Sequence, residues 1–269
     1  MKWADSGPRS LQHLRGLEGG SAWLDSLPVR IERAVSRWDL RLGAPFADAY
    51  ESMAFPAERS DGTQGVLKLH FPHRENAHEA AALAVWNGNG AVRLLDWDAD
   101  LGALLLERCV PGTPLSAAPP EVALDALIEL LPRLWAPPGA PFGSLADEAA
   151  HLAVNLDAEW ERTGRPFERD LVDAALDAFT NLPPTQGEQV LLHQDLHGDN
   201  VLRAERQPWL AIDPKPLAGE REFSVAPIVR SSELGHRRRD VLRRFDRLTA
   251  ELGLDRERAR GWTIAHAVA

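Results

Sequence analysis

One segment limits what this chain can fold into more than any other. It runs Leu191-Leu192-His193-Gln194-Asp195-Leu196-His197-Gly198-Asp199-Asn200-Val201-Leu202, and Trp209-Leu210-Ala211-Ile212-Asp213-Pro214 follows shortly after. Polar groups taken out of water need partners. A string of carboxylates, amides and imidazoles set between apolar runs therefore has to be a loop held by its flanks. An apolar run leading into that loop, and a later run ending in Asp, predict a strand–loop–strand unit. Such a unit brings Asp195, Asn200 and Asp213 to one mouth.

The rest of the composition sets the frame. The 269 residues are 44% hydrophobic and 26% charged, enough for a real core in one large or two small domains. Cys109 is the only cysteine, so no disulfide can form within the chain, and a reducing cytoplasm is expected. The polar start shows no secretory pattern, and no apolar run approaches the roughly 18 residues that span a bilayer. A net charge of −10 disfavours nucleic acid and suits a small cationic partner drawn to carboxylates. A monomer is expected.

Along the chain, residues 1–43 read as a helical lead-in, with an apolar period near 3.6 over 23–42. Residues 44–108 read as a strand-rich unit. Strands at 50–57 and 65–70 flank Ser60-Asp61-Gly62-Thr63, a hairpin signal. A helix over 75–86 stops at Asn87-Gly88-Asn89-Gly90, and strands follow at 91–97 and 103–108. Pro111-Gly112-Thr113-Pro114 breaks the pattern. Helices are then expected over 121–135, 145–163, 168–181, 230–252 and from 255 onward. The reading is α+β and bilobal, with an N-terminal lobe over 1–108 and a mainly helical C-terminal lobe over 109–269.

The spacing of the polar segment points to phosphoryl transfer. That reaction needs one carboxylate to orient an acceptor hydroxyl and take its proton. It also needs an amide oxygen and a second carboxylate for Mg²⁺. Asp195 and Asn200 lie five apart, as Asp and Asn do in H-R-D-x-x-x-x-N, with His193 at the leading position. Lys68, in the apolar run Val66-Leu67-Lys68-Leu69, is the candidate for the nucleotide phosphates. Buried in a strand it needs an anion, and Glu79 on the next helix is preferred over Glu75. At the break, Glu107 and Cys109 are candidates to meet adenine through main-chain atoms. No G-x-x-x-x-G-K-[ST] occurs. Two other readings stay open: a zinc hydrolase using His193, Asp195, His197 and Asp199, and a kinase-like module that binds without catalysis.

These pieces, together with Trp38-Asp39-Leu40, Leu105-Leu106-Glu107-Arg108 and Asp213-Pro214-Lys215-Pro216, resemble the aminoglycoside/hydroxyurea antibiotic resistance kinases. The branch is the one that contains streptomycin 6-phosphotransferases, and the likeness covers roughly residues 20–230. It implies a protein-kinase-like fold with a small antiparallel-sheet N-lobe, ATP as donor, Mg²⁺, and a hydroxyl of a small antibiotic as acceptor. Hydroxyurea and a viomycin-type antibiotic are the alternative acceptors. By position it implies Asp195 as the catalytic aspartate, Asn200 and Asp213 as metal ligands, and Lys68 as the phosphate lysine. The sequence departs from the family pattern at Gln194, where members often have Gly, and at Ser224, where an Asp is usual. A guanidinium-bearing acceptor such as streptomycin would favour carboxylates, of which Asp157, Glu159, Glu161, Glu220, Glu222 and Glu233 are candidates.

Overall fold

The computed structural model describes residues 9–47 and 50–269. Residues 1–8 of the expected lead-in, and 48–49, lie outside the described residues. The chain divides into two units. One runs to Gly88 and resumes over Val92–Arg108, and the other comprises Asn89–Ala91 and Cys109–Ala269.

In the first unit, α1 (Gly20–Trp38) buries Trp23, Leu24, Leu27, Ile31, Ala34 and Trp38, a spacing of three and four that forms one apolar face. The expected helix over 23–42 ends early. Asp39 adopts a left-handed conformation with φ 50°, and Leu40–Leu42 continues as strand β1. β2 (Ser52–Arg59) and β3 (Gln64–His70) form the expected hairpin, with Gly62 at φ 85° in its turn. With β4 (Leu94–Asp98) and β5 (Ala103–Glu107) they make an antiparallel sheet of order β1-β2-β3-β5-β4. Met53, Phe55, Leu67, Leu69 and Leu105 of the sheet join the α1 face in one core. Trp38 Nε1 donates to Asp96 Oδ2 at 2.9 Å, and Arg30 Nη1 donates to the Leu101 carbonyl at 2.6 Å, which ties α1 to the strands.

Helix α2 (Glu79–Trp86) starts later than the expected residue 75. The Asn76 amide donates to the Phe71 carbonyl, and its oxygen accepts the His73 N–H, so this stretch is a turn. Asn87, at φ 44°, caps the helix as its left-handed end.

The second unit holds α3 (Pro120–Leu134), α4 (Leu145–Arg162), α5 (Arg169–Asn181), α6 (Ala226–Arg230), α7 (Arg238–Glu251) and α8 (Arg256–Val268), with short strands among them. Those strands are β6 (Gly143–Ser144), β7 (Gln189–Leu192), β8 (Val201–Arg203), β9 (Trp209–Ala211) and β10 (Leu217–Glu220). β10 lies between β6 and β7, while β8 and β9 form a separate antiparallel pair. The expected single strand–loop–strand unit is thus shared between two sheets. The strand expected over 91–97 is also divided. Ala91 bridges to Ala211 in the second unit, and the Ala211 N–H donates to the Gly90 carbonyl at 2.8 Å.

The helix expected over 230–252 is broken for a clear reason. The buried Arg244 guanidinium donates to the carbonyls of Val229 (2.8 Å), Gly235 (2.7 Å) and Ser231 (3.0 Å). A continuous helix would spend those carbonyls on its own ladder. Among the described residues no helix is long and apolar enough to cross a membrane.

Glu220 anchors the end of the chain. It is fully buried, and its carboxylate accepts from Arg258 Nε at 2.8 Å, Arg258 Nη2 at 2.7 Å and the Trp262 indole. Trp262 packs edge-on to Phe223 in the core shared by α4, α5 and α8. Removing one partner of a buried pair strands the other charge, which costs about 3–5 kcal/mol. Glu220→Ala is accordingly expected to lower unfolding stability by about 3 kcal/mol or more in urea titration, and a loss under about 1 kcal/mol would contradict this role.

Candidate active site

Strand alternation places Lys68 on the face opposite Leu67 and Leu69, which enter the core with α1. A buried ammonium there requires an anion, and α2 provides it at its first turn. Lys68 Nζ donates to both carboxylate oxygens of Glu79, each at 2.7 Å. Lys68 is 6% exposed and Glu79 0%. Glu75, the rival, sits in the turn before the helix, where its N–H donates to His73 Nδ1 at 3.4 Å. Glu107 closes β5. Its N–H donates to the Arg93 carbonyl at 2.9 Å, and its carboxylate accepts the Arg93 N–H at 2.9 Å. Cys109, half-buried, opens the main segment of the second unit.

In the second unit, the loop after β7 is held at several points. The His193 carbonyl accepts the N–H groups of Asp195 (2.9 Å) and Lys215 (3.0 Å), and its ring Nε2 donates to the Ile212 carbonyl at 2.9 Å. Asn200 Nδ2 donates to the Asp195 carbonyl at 2.9 Å and lies 3.3 Å from Asp195 Oδ2. The Asn200 carbonyl accepts the Ile212 N–H at 2.9 Å, which sets Asp213 next to Asn200 across the loops. Asp213 is exposed at φ 59°, a left-handed conformation that Asp tolerates better than most residues. The structure therefore brings Asp195, Asn200 and Asp213 together. Their amide and carboxylate oxygens are hard donors of the kind Mg²⁺ takes, usually few from protein and the rest from water and phosphate.

Among the described residues no group of three or more His, Cys, Asp and Glu is arranged to hold a metal ion. The zinc-hydrolase reading therefore finds no ligand cluster among the described residues.

Contacts invisible at the sequence level brace the same loop. The Gly198 N–H donates to Glu233 Oε1 at 2.6 Å, and the Ser116 hydroxyl donates to Asp199 Oδ1. A Cβ at Gly198 would stand 2.8 Å from the Ser116 nitrogen, so only glycine fits. Lys215 Nζ lies 3.6 Å from Asp195 Oδ2. The position of Lys215 two residues past Asp213 was a usable signal. The roles of Glu233 and Ser116 had none, since both act from distant segments.

The remaining candidate carboxylates are engaged elsewhere. Asp157 pairs with Arg169, Glu159 with Arg162, and Glu161 with Arg165. Glu222 accepts the Asp255 N–H at 3.3 Å. The two departures from the family pattern also have physical readings. Gln194 stands at φ 64°, where a side chain is strained and glycine is not. Ser224 is buried and accepts the Trp135 indole N–H at 3.0 Å.

Burial pushes the His193 imidazole down to about 4, against the pull of Asp195, the Ile212 carbonyl and Asp213. It stays neutral in the folded protein while the unfolded chain takes up a proton near 6.5. Its stability contribution is thus complete above about pH 6.5 and is lost as the pH falls toward 4, at about 1.4 kcal/mol per pH unit. Denaturant titrations across that window are expected to show a slope that His193→Asn reduces by about one proton. An unchanged slope in the variant would count against a buried neutral His193.

Residues 37–269 match the model of the aminoglycoside/hydroxyurea antibiotic resistance kinases. A hydroxyurea phosphotransferase of Kitasatospora aureofaciens is 40% identical, covering 97% of this chain and 78% of that protein. A streptomycin 6-kinase of Streptomyces glaucescens is 41% identical, covering 91% of this chain and 82% of that protein. Among solved structures, a thermostable mutant of aminoglycoside phosphotransferase APH(4)-Ia, in ternary complex with AMP-PNP and hygromycin B, superposes with a TM-score of 0.62. It is 17% identical over 88% of each chain, a likeness of fold. The chain belongs to the aminoglycoside/hydroxyurea antibiotic resistance kinase family and has the protein-kinase-like fold.

Proposed function

We propose that this family member transfers the γ-phosphoryl group of ATP to a hydroxyl of a small antibiotic, with streptomycin, through its 6-hydroxyl, as the first candidate. The observation that carries the reading is the Asp195–Asn200 pair, joined by the Asn200 amide at 2.9 and 3.3 Å, with Asp213 set beside it through the Ile212–Asn200 hydrogen bond. Streptomycin as acceptor is supported by the streptomycin 6-kinase at 41% identity. Hydroxyurea is the second reading, because the hydroxyurea phosphotransferase is 40% identical and covers nearly the whole chain. ATP as donor is supported by the AMP-PNP bound to a relative of the same fold.

The residues divide the work. Asp195 orients the acceptor hydroxyl and takes its proton as the oxygen bonds to phosphorus and the bond to the ADP oxygen breaks. Asn200 and Asp213 would hold Mg²⁺. That ion, when bound, neutralises phosphate charge. In the first unit, Lys68, fixed by Glu79, meets the α- and β-phosphates, while the main chain at Glu107 and Cys109 meets the adenine edge. Positioning and charge neutralisation supply most of the rate, since the protein forms no covalent bond to the phosphoryl group.

The test is ATP consumption with Mg²⁺ and streptomycin, hydroxyurea or viomycin in turn, each product checked by mass. Phosphorylated streptomycin is expected. Transfer to hydroxyurea alone would establish the second reading, and transfer to none would overturn the proposal. Asp195→Ala is expected to lower kcat by about 10²-fold or more, as loss of a general base does. Near-normal turnover in that variant would remove Asp195 from the reaction.

A further inference from the structure

The span from Asp195 to Asn200 is closed at its ends. Asn200 Nδ2 donates to the Asp195 carbonyl at 2.9 Å, and the Asn200 N–H donates to the His197 carbonyl at 3.0 Å. Its middle is a single 3-10 turn, Gly198–Asn200. The first N–H groups of such a turn have no partner inside it and must find one elsewhere. The Gly198 N–H finds a carboxylate that lies 35 residues further on, Glu233 Oε1 at 2.6 Å. On its other side Gly198 meets the Ser116 main chain. A Cβ added at Gly198 would stand 2.9 Å from Glu233 Oε1 and 2.9 Å from Ser116 Cα. The Ser116 hydroxyl also donates to Asp199. The middle of the span is clasped between two distant segments.

Glu233 is held in turn. It sits in the short turn Ser232–Leu234, with Leu234 buried. The buried Arg244 of α7 donates to the Ser231 carbonyl at 3.0 Å before that turn and to the Gly235 carbonyl at 2.7 Å after it. A further bond to the Val229 carbonyl, at 2.8 Å, ties the same guanidinium to α6. Gly235 closes the turn at φ 96°, a conformation that glycine adopts without strain. The guanidinium is planar and rigid, so three carbonyls fixed to it are fixed to one another. A strut therefore runs from Arg244 through the turn and Glu233 to Gly198, and it ends inside the five-residue span that sets Asp195 against Asn200.

A carboxylate that accepts a main-chain N–H makes a stronger bond than a neutral acceptor does. Placement matters at this point, since a shift of about 1 Å in a reacting group can cost about 10²-fold in rate. We propose that Glu233 is a positioning residue for phosphoryl transfer. Held by Arg244, it keeps Asp195 and Asn200 in register through Gly198, and it acts by the reach of its oxygen rather than by charge toward the acceptor. The inference rests on the phosphotransferase reading above. It gives Glu233 a different task from the acceptor contact that its charge alone suggests.

Three variants separate reach from charge. Glu233→Gln keeps an oxygen at the same reach and removes the charge. Glu233→Asp keeps the charge and withdraws the oxygen by one methylene. Glu233→Ala removes both. Each is read in turnover with ATP, Mg²⁺ and the acceptor that wild type uses, and in hydrogen exchange at the Gly198 amide. Glu233→Asp and Glu233→Ala are expected to lower kcat by about tenfold to 10²-fold. Their acceptor KM is expected to stay within about threefold of wild type, since the interaction serves the reacting geometry rather than acceptor binding. The Gly198 amide is expected to exchange at least about tenfold faster in both. Glu233→Gln is expected to recover most of the lost rate and of the lost protection. Should Glu233→Ala fail to fold, Glu233→Asp against Glu233→Gln carries the comparison.

A raised acceptor KM in Glu233→Gln, with Glu233→Asp near wild type, would make Glu233 an acceptor contact and overturn the proposal. Faster Gly198 exchange with unchanged kcat would also overturn it, because the brace would then be structural only. Unchanged exchange in the shortened variants would do the same. In each of these cases an active wild type leaves the phosphotransferase reading in place. A wild type that phosphorylates none of streptomycin, hydroxyurea and viomycin overturns that reading and the proposal together.

Discussion

The His193 carbonyl accepts two N–H groups, from Asp195 and Lys215, while its ring donates across to Ile212. Three strands of backbone that would otherwise be separate loops are tied at this residue. Loops carry polar main-chain groups that must find partners when buried. Here those partners come from one another, which is why a polar segment can sit between the apolar runs at β7 and β8. The neutrality of the ring follows from the same placement. A charged imidazole in that position would be desolvated, and burial holds its proton affinity down to about 4. The geometry of Asp195, Asn200, Asp213 and Lys215 depends on this knot.

The two units solve a shared physical problem in different ways. Each has to present charge for use without leaving it unpaired. In the first unit, Lys68 is buried against Glu79 and donates to both of its carboxylate oxygens. In the second, Asp195 is kept partly accessible, with the Asn200 amide 3.3 Å and the Lys215 ammonium 3.6 Å from its Oδ2. The buried Glu220–Arg258–Trp262 cluster belongs to a third kind, in which charge serves only to fasten α8 to β10. Glu220 read as a possible substrate contact in the sequence because its isolation from water and its distant partner leave no local trace.

Periodicity made most elements legible. The apolar face of α1, the β2–β3 hairpin with Gly62, and the helices α3, α4, α5 and α8 were all readable, with ends displaced by a few residues. What escaped was non-local. The strand β1 takes its conformation from pairing with β2 rather than from its own pattern. The break between α6 and α7 is made by Arg244, which reaches back to carbonyls outside its own helix. In the site, Asp195, Asn200, Asp213, Lys68 and Glu79 could be picked out because spacing and the rule against unpaired buried charge both act locally. The bracing roles of Ser116 and of Glu233, which the sequence offered only as an acceptor carboxylate, could not, since a hydrogen bond between segments far apart has no spacing to read.

The short piece Asn89–Ala91 has a consequence for how the polypeptide comes together. It belongs to the second unit, yet it is synthesised before the last two strands of the first. Arg206, which donates to its Ala91 carbonyl, follows 115 residues later. Cutting the chain at 108 would therefore not give two independent halves. The leading fragment would carry away an edge that β9 needs, and the trailing fragment would expose it. A split reporter or a permuted form of this molecule would have to keep those three residues in reach of β9, which makes this clip, rather than the loop at residues 108–109, the practical limit on dissecting it.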